Sequence, residues 1–371
     1  MLRAIMGGTR VTSRRNFIAG LGAFSGMSCM ACGMRRASAQ QPARREITVA
    51  GQRVRTVDIH CHCVIPETLD LVKGTPLEAR VAATIKSQQN NPTIEARIKE
   101  MDATGIDVQA MSINAWWYGA NRDLARRIVD LQNEKLMAMC KAAPDRLVAF
   151  ASVSLQFPEL AAQQLETAMK QQGLRGAAIG GTVNGEELSH EKYDPFWKKA
   201  EELQALLFMH PQDSADVTGV ANRVKGNGGL ANVIGNPLET TIAISHLIFE
   251  GTLDKFPNLK MSFAHGGGFL PSYAARMDNG CGRTARDCPG PVLKKKPSEY
   301  LKQLYFDSLI FTPEALRHLA AEVGAGQIMV GTDYNFGWVK DPVGHVLATP
   351  GLSDADKVAI LGGTAQKLLR L

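Results

Sequence analysis

Two histidines one residue apart set the chemical question. In Val57-Asp58-Ile59-His60-Cys61-His62-Cys63, β-branched and polar residues alternate, which predicts a strand. Side chains two apart on a strand share a face, so Asp58, His60 and His62 are expected on one side and Ile59, Cys61 and Cys63 on the other. Two imidazoles about 7 Å apart along the chain can converge on one metal ion where the strand end twists. The competing reading is a pair of histidines packed in the core. Three more residues of the same chemistry close later apolar runs: His210 after Ala205–Met209, His265 after Lys260–Ala264, and Asp333 just after Ile328–Gly331. Singly, His210 could cap a strand and Asp333 could be a turn or helix-capping residue. Three imidazoles and a carboxylate gathered at strand ends suit zinc, with manganese or iron as alternatives, and leave a position for water or substrate.

Such a gathering needs a scaffold that brings distant strand ends together. Apolar strands are predicted at Val108–Ile113, Leu147–Ser154, Gly176–Gly181 and Leu304–Leu309 in addition to those above. Helices are predicted between them, among them Thr93–Thr104 ended by Gly105, Asn121–Ala142, Pro158–Gln172, Tyr193–Gln204, Pro237–Glu250, Phe269–Met277, Pro313–Val323 and Ser353–Leu369. Eight alternations of strand and helix predict a parallel (β/α)8 TIM barrel, α/β in class, with insertions at the C-terminal face, where active sites of this fold lie. Pro66–Pro92 and Asp213–Asn236 read as insertions over that face, the second as a lid, a subunit contact or a solvated loop. A doubly wound open sheet is disfavoured, because no strand leads into a G-x-G-x-x-G turn.

The first 39 residues are expected to stand outside this fold. Ser13-Arg14-Arg15-Asn16-Phe17-Ile18 is a twin-arginine signal, an apolar run reaches Cys32, and Ala37-Ser38-Ala39 is a cleavage site. Residues 1–39 are therefore read as a signal peptide and 40–371 as one domain, exported to the periplasm or beyond through the twin-arginine translocon. The leader holds six arginines and no acid, so cleavage takes the formal charge from +6 to 0. A neutral mature chain gives no ground for nucleic-acid binding, and no later stretch is apolar enough for a membrane anchor. Hydrophobic content of 45% fits an ordinary globular core. Five cysteines remain after cleavage; Cys281 and Cys288 could pair in an oxidising compartment, whereas Cys61 and Cys63 are poorly disposed to pair with each other.

Several motifs carry a family resemblance from about Val57 to the C-terminus. They are Asp58-Ile59-His60-Cys61-His62, Glu95-Ala96-Arg97-Ile98-Lys99-Glu100-Met101-Asp102, Met209-His210-Pro211, Asn236-Pro237-Leu238-Glu239-Thr240-Thr241, Phe263-Ala264-His265-Gly266-Gly267-Gly268 and Val330-Gly331-Thr332-Asp333-Tyr334. The chain resembles the amidohydrolase superfamily, and within it the group that includes aminocarboxymuconate-semialdehyde decarboxylase and the dihydroxybenzoate decarboxylases. The resemblance implies that His60, His62, His210 and Asp333 are the metal ligands and that His265 is a general acid or base. It further implies that Arg97 binds a substrate carboxylate and that Arg276 reaches the site of a neighbouring subunit in a homodimer. Read from the residues alone, Arg97 would be a surface arginine of its helix. Trp116 is a candidate for stacking on an aromatic ring, ordinary loop packing being the alternative.

The fourth strand, Arg175-Gly176-Ala177-Ala178-Ile179-Gly180-Gly181, lacks the lysine that a bridged pair of metals would need on such a barrel, so one divalent metal and no organic cofactor are expected. Gln212 follows His210-Pro211 where the family decarboxylase has tryptophan, so a different pocket wall and a different substrate are expected. Cofactor-free decarboxylation of an aromatic or unsaturated carboxylic acid is the first expectation. Hydrolysis of a lactone, amide or ester by metal-activated water is the second, with Asp333 sharing the proton traffic in either. A non-catalytic metal-holding protein is the third, and would have no use for His265.

Overall fold

A computed structural model of the protein describes residues 44–87, 93–212, 223–281 and 289–371. The predicted leader and Cys288 lie outside the described residues, as does the first part, 213–222, of the Asp213–Asn236 loop. The compact unit that holds the site spans Pro42–Leu371.

Eight parallel strands form its centre: β1 (Val57–His62), β2 (Val108–Ser112), β3 (Leu147–Ala149), β4 (Gly176–Ile179), β5 (Leu206–Met209), β6 (Lys260–Phe263), β7 (Tyr305–Asp307) and β8 (Ile328–Met329). They pair in sequence order, β1 to β3 in one run and β4 to β8 in another. Bridges Ala151–Ala177 and Asp58–Val330 join the two runs, so the sheet closes on itself as a barrel. This is the (β/α)8 arrangement that the alternation of elements predicts.

The main helices are α1 (Ile94–Thr104), α2 (Arg122–Ala142), α3 (Pro158–Lys170), α4 (Asp194–Leu203), α5 (Asn236–Phe249), α6 (Leu270–Cys281), α7 (Pro313–Val323) and α8 (Thr364–Leu369). Their ends are set by side chains the sequence already offers. Thr93 accepts from the Ala96 amide at the start of α1, and left-handed Gly105 ends that helix. Asn121 and Thr312 cap α2 and α7 in the same way. The predicted helix Ser353–Leu369 is broken into Asp354–Val358, a wider turn at Ala359–Gly363 and α8. Ala365, Leu368 and Leu369 of α8 join the apolar cluster that fills the barrel, alongside Val57, Ile59, Phe150, Leu206 and Phe208.

One local feature corrects the expected strand faces. The β1–β2 register shifts between Asp58 and Cys61, a bulge that places one extra residue in β1. Ile59 lies in the barrel-filling cluster, and the His60 ring, next in sequence, sits 5.1 Å from Phe208 of that same cluster. Both therefore point inward. Asp58 faces the outer layer instead, where it accepts from Gln109 Nε2 at 3.1 Å and Thr332 Oγ1 at 2.7 Å. Cys61 and Cys63 are buried free thiols on the outer side, as packing residues should be. Cys281 is disulfide-bonded. Among the described residues no helix is long and apolar enough to cross a membrane.

Candidate metal centre

The ends of three strands deliver the four ligands. His60 and His62 close β1, His210 follows β5, and Asp333 lies four residues past β8. One ligand atom from each lies within 4.8 Å of all the others, and all four residues are buried. His60 Nε2 is 3.2 Å from His62 Nε2 and 3.2 Å from Asp333 Oδ1, and His62 Nε2 is 2.9 Å from Asp333 Oδ1. Donors bound at about 2.1 Å to a tetrahedral ion are about 3.4 Å apart, so the spacing fits a single dication.

The outer hydrogen bonds decide which nitrogen of each ring faces the centre. His60 Nδ1 lies 2.6 Å from Asp307 Oδ2, a carboxylate that can only accept, so this nitrogen carries the hydrogen. The Ser112 hydroxyl donates to the Cys61 carbonyl at 3.1 Å and therefore accepts from His62 Nδ1 at 3.2 Å. His210 Nδ1 donates to the Pro211 carbonyl at 2.8 Å, and its Nε2 is buried with no hydrogen-bond partner. All three rings thus aim Nε2 at one point, the nitrogen that a bound metal would take. The residues fit a bound divalent ion.

Electrostatics agree with a place for positive charge. Burial lowers the His60 pKa, but the Asp333 and Asp307 carboxylates outweigh it and raise it to about 10. Burial opposes ionisation of Asp333 as well, yet the surrounding imidazoles hold it well below the usual carboxylate range. Burial and then its imidazole neighbours push His210 well down, which keeps it neutral.

His265 stands beside this cluster without joining it. Its ring centroid is 5.1 Å from that of His60 and 5.2 Å from that of His210, and its Nε2 is 3.9 Å from Asp333 Oδ2. Its backbone is left-handed, at φ 55°, and opens the turn Gly266-Gly267-Gly268. At Gly268, φ is 68° and a Cβ would stand 2.2 Å from the Pro237 carbonyl oxygen, so only glycine lets the turn approach α5 this closely. Asp333 is likewise left-handed, at φ 52°. Two non-glycine residues held in this sparsely populated region at one site indicate backbone geometry fixed by the surrounding contacts.

Three other expected site residues lie elsewhere. Arg97 is fully buried on the outer side of the barrel wall. Its guanidinium donates to the His62 backbone carbonyl at 2.7 Å and to Gln109 Oε1 at 3.0 Å, and stacks 4.5 Å from the Tyr334 ring centroid. It is neither a surface arginine nor a group that can grip substrate; it braces the strand behind His62. Trp116 is buried and packs edge-to-face on Trp117, which corrects its stacking role. Arg276 is exposed on α6 and is not among the residues that line the cavity beside His265.

The cavity above His265 and Asp333 is walled by Val233, Pro237, Leu309, Phe311 and Trp338. Phe336 stands over the ligand His62, with ring centroids 5.9 Å apart. Apart from Pro237, these side chains, and Asp307, were not singled out from sequence. Asp307 was legible in principle, as the only acid in the apolar stretch Leu304–Leu309 and at the same end of its strand as the metal ligands are of theirs.

Comparison with known proteins bears on the same residues. The amidohydrolase family profile matches residues 57–371. The 2-amino-3-carboxymuconate-6-semialdehyde decarboxylase of Dictyostelium discoideum is 29% identical over 326 residues, covering 85% of this chain and 84% of its own. The crystal structure of 5-carboxyvanillate decarboxylase from Sphingomonas paucimobilis shares the fold, with a TM-score of 0.78 at 21% identity over 86% of this chain and 99% of that one. A dihydroxybenzoic acid decarboxylase from Polaromonas sp. JS666, with bound manganese and the inhibitor 2-nitroresorcinol, has a TM-score of 0.71 at 25% identity over 85% of this chain and 97% of its own. The match spans the barrel and its metal ligands from end to end, and the chain belongs to the amidohydrolase family, in which the relatives it resembles are decarboxylases.

Proposed function

We propose that this chain is a metal-dependent, non-oxidative decarboxylase of an aromatic carboxylic acid. The observation that carries the reading is the placement of His265 between the four-residue metal site and a cavity with apolar and aromatic walls. The cavity measures about 120 Å³, of the same order as one that accepts a single benzene ring. A bound divalent ion supplies positive charge that orients a substrate oxygen and draws electron density from the ring. The bond between ring and carboxylate breaks, its electron pair stays with the ring carbon, and CO2 leaves. That carbon takes a proton from His265, which regains one from solvent. Asp333 Oδ2, 3.9 Å from His265 Nε2, places a negative charge beside the proton this ring holds.

The donor set favours zinc, and the manganese bound by a structural neighbour supports the alternative. One equivalent of metal per chain is expected by elemental analysis. Incubating the metal-loaded protein with a panel of hydroxybenzoates while measuring CO2 tests the reaction. Release of acid from lactones or esters with no CO2 from any benzoate would support hydrolysis in its place.

Export through the twin-arginine route, with cleavage after Ala39, is supported by the leader pattern and by a compact unit that begins at Pro42. Replacing Arg14 and Arg15 by lysine should leave the protein in the cytoplasm on cell fractionation. A homodimer is supported by the exposure of Tyr273 and Arg276 on α6, and sedimentation of the purified chain tests it.

A further inference from the structure

Glu239, in the motif Asn236-Pro237-Leu238-Glu239-Thr240-Thr241 that opens α5, is an acid the metal centre does not yet account for. It is 2% exposed, and a carboxylate so buried must be paired or hydrogen-bonded. Its Oε2 accepts from the Gln212 backbone amide at 2.9 Å. That amide belongs to the same peptide unit as the Pro211 carbonyl, which accepts from His210 Nδ1 at 2.8 Å. The peptide is trans, so its N–H and C=O point to opposite edges of one plane. Glu239, the Pro211–Gln212 peptide and the His210 ring therefore form a line that ends at Nε2, the nitrogen aimed at the metal position.

The end of β4 is shaped around this acid. A Cβ on Gly181 would stand 2.6 Å from Glu239 Oε1 and 2.9 Å from its Cγ, so glycine leaves the carboxylate its place. The start of α5 is also gripped by the turn that follows His265. Thr241 Oγ1 accepts from the Phe269 amide at 2.8 Å, and Gly268 packs on the Pro237 carbonyl. The helix that carries Glu239 is thus held against both β4 and the His265 turn.

We propose that Glu239 is a positioning residue for the ligand His210, acting through the peptide between them. By accepting from the Gln212 amide it holds the peptide plane, so that the Pro211 carbonyl meets Nδ1 and the ring keeps Nε2 on the ion. Its charge also polarises that peptide, because hydrogen bonds in a chain strengthen one another. The carbonyl becomes a better acceptor and the imidazole a stronger ligand. His60 has a carboxylate of its own in Asp307, whereas His210 reaches one only through this peptide. The inference rests on the metal centre and not on which reaction the centre serves.

The test reads three properties of the full chain: zinc affinity by competition with a chromogenic chelator, the visible spectrum of the cobalt-loaded protein, and thermal unfolding without metal. Glu239→Gln keeps the shape and an acceptor but removes the charge, and is expected to weaken zinc about tenfold. Glu239→Leu removes both and should weaken it up to about 100-fold. Gly181→Ala, which drives a methyl group into the carboxylate, should act in the same direction with Glu239 intact. The cobalt bands should shift in each variant, because a tilted ring changes the ligand field. Metal-free Glu239→Gln should unfold at the wild-type temperature. Wild-type zinc affinity and cobalt bands in Glu239→Gln and Gly181→Ala overturn the proposal and leave the metal centre standing, as does a lower unfolding temperature with affinity unchanged, since Glu239 then only packs the loop. A wild-type chain that binds no zinc overturns the metal centre itself and the proposal with it.

Discussion

His60 Nδ1 meets Asp307 Oδ2 at 2.6 Å, and the same carboxylate accepts from the backbone amides of His265, Gly266 and Leu309 at 2.9, 2.9 and 3.1 Å. One fully buried aspartate therefore fixes the tautomer of a metal ligand and the turn that carries the acid. Asp307→Asn keeps the shape but offers an amide hydrogen to His60 Nδ1. The ring would then turn its own hydrogen toward the ion. Metal affinity is expected to fall about 10–100-fold, measured by competition with a chromogenic chelator. Unchanged affinity would show that this contact only packs.

His265 separates catalysis from metal binding. His265→Asn should retain about one equivalent of metal and lose about 10²–10⁴-fold in kcat. Elemental analysis beside steady-state CO2 release reads both. Loss of the metal would make His265 a ligand instead.

Arg97 is predicted to matter for stability rather than for substrate. Arg97→Met leaves the His62 carbonyl and Gln109 Oε1 without their donor inside the wall, at a cost of about 2–4 kcal/mol. Thermal unfolding should move down while KM at a permissive temperature stays close to that of the wild type. A raised KM with unchanged melting would restore the carboxylate-binding role.

The pH dependence of metal uptake follows from the carboxylates around His60. Burial alone would lower its pKa, but Asp333 and Asp307 raise it to about 10. At neutral pH the metal-free ring therefore holds a proton that the ion must displace. Affinity should rise about tenfold per pH unit between pH 6 and 8, and one proton should be released per ion bound. Affinity independent of pH would contradict this electrostatic account.

The barrel and the polar residues at its rim were legible because both depend on local sequence, whereas the division of those residues into four ligands and His265 came from the family resemblance. Short apolar runs mark strands, and a polar residue ending such a run marks the rim. Pairing register is not local, so the bulge between Asp58 and Cys61 was hidden, and with it the outward turn of Asp58. Arg97 was misread for a related reason. Its acceptors, Gln109 and the His62 carbonyl, come from two strands, and nothing within α1 reveals that they close over it. Phe311, Phe336 and Trp338 lie in loops, where periodicity carries no information about which side chains meet.

Anomalous diffraction from crystals of the manganese-loaded protein tests the central claim most directly. The account predicts one peak, within about 2.0–2.3 Å of Nε2 of His60, His62 and His210 and of a carboxylate oxygen of Asp333. A peak elsewhere, or none in the space these four residues share, would contradict it.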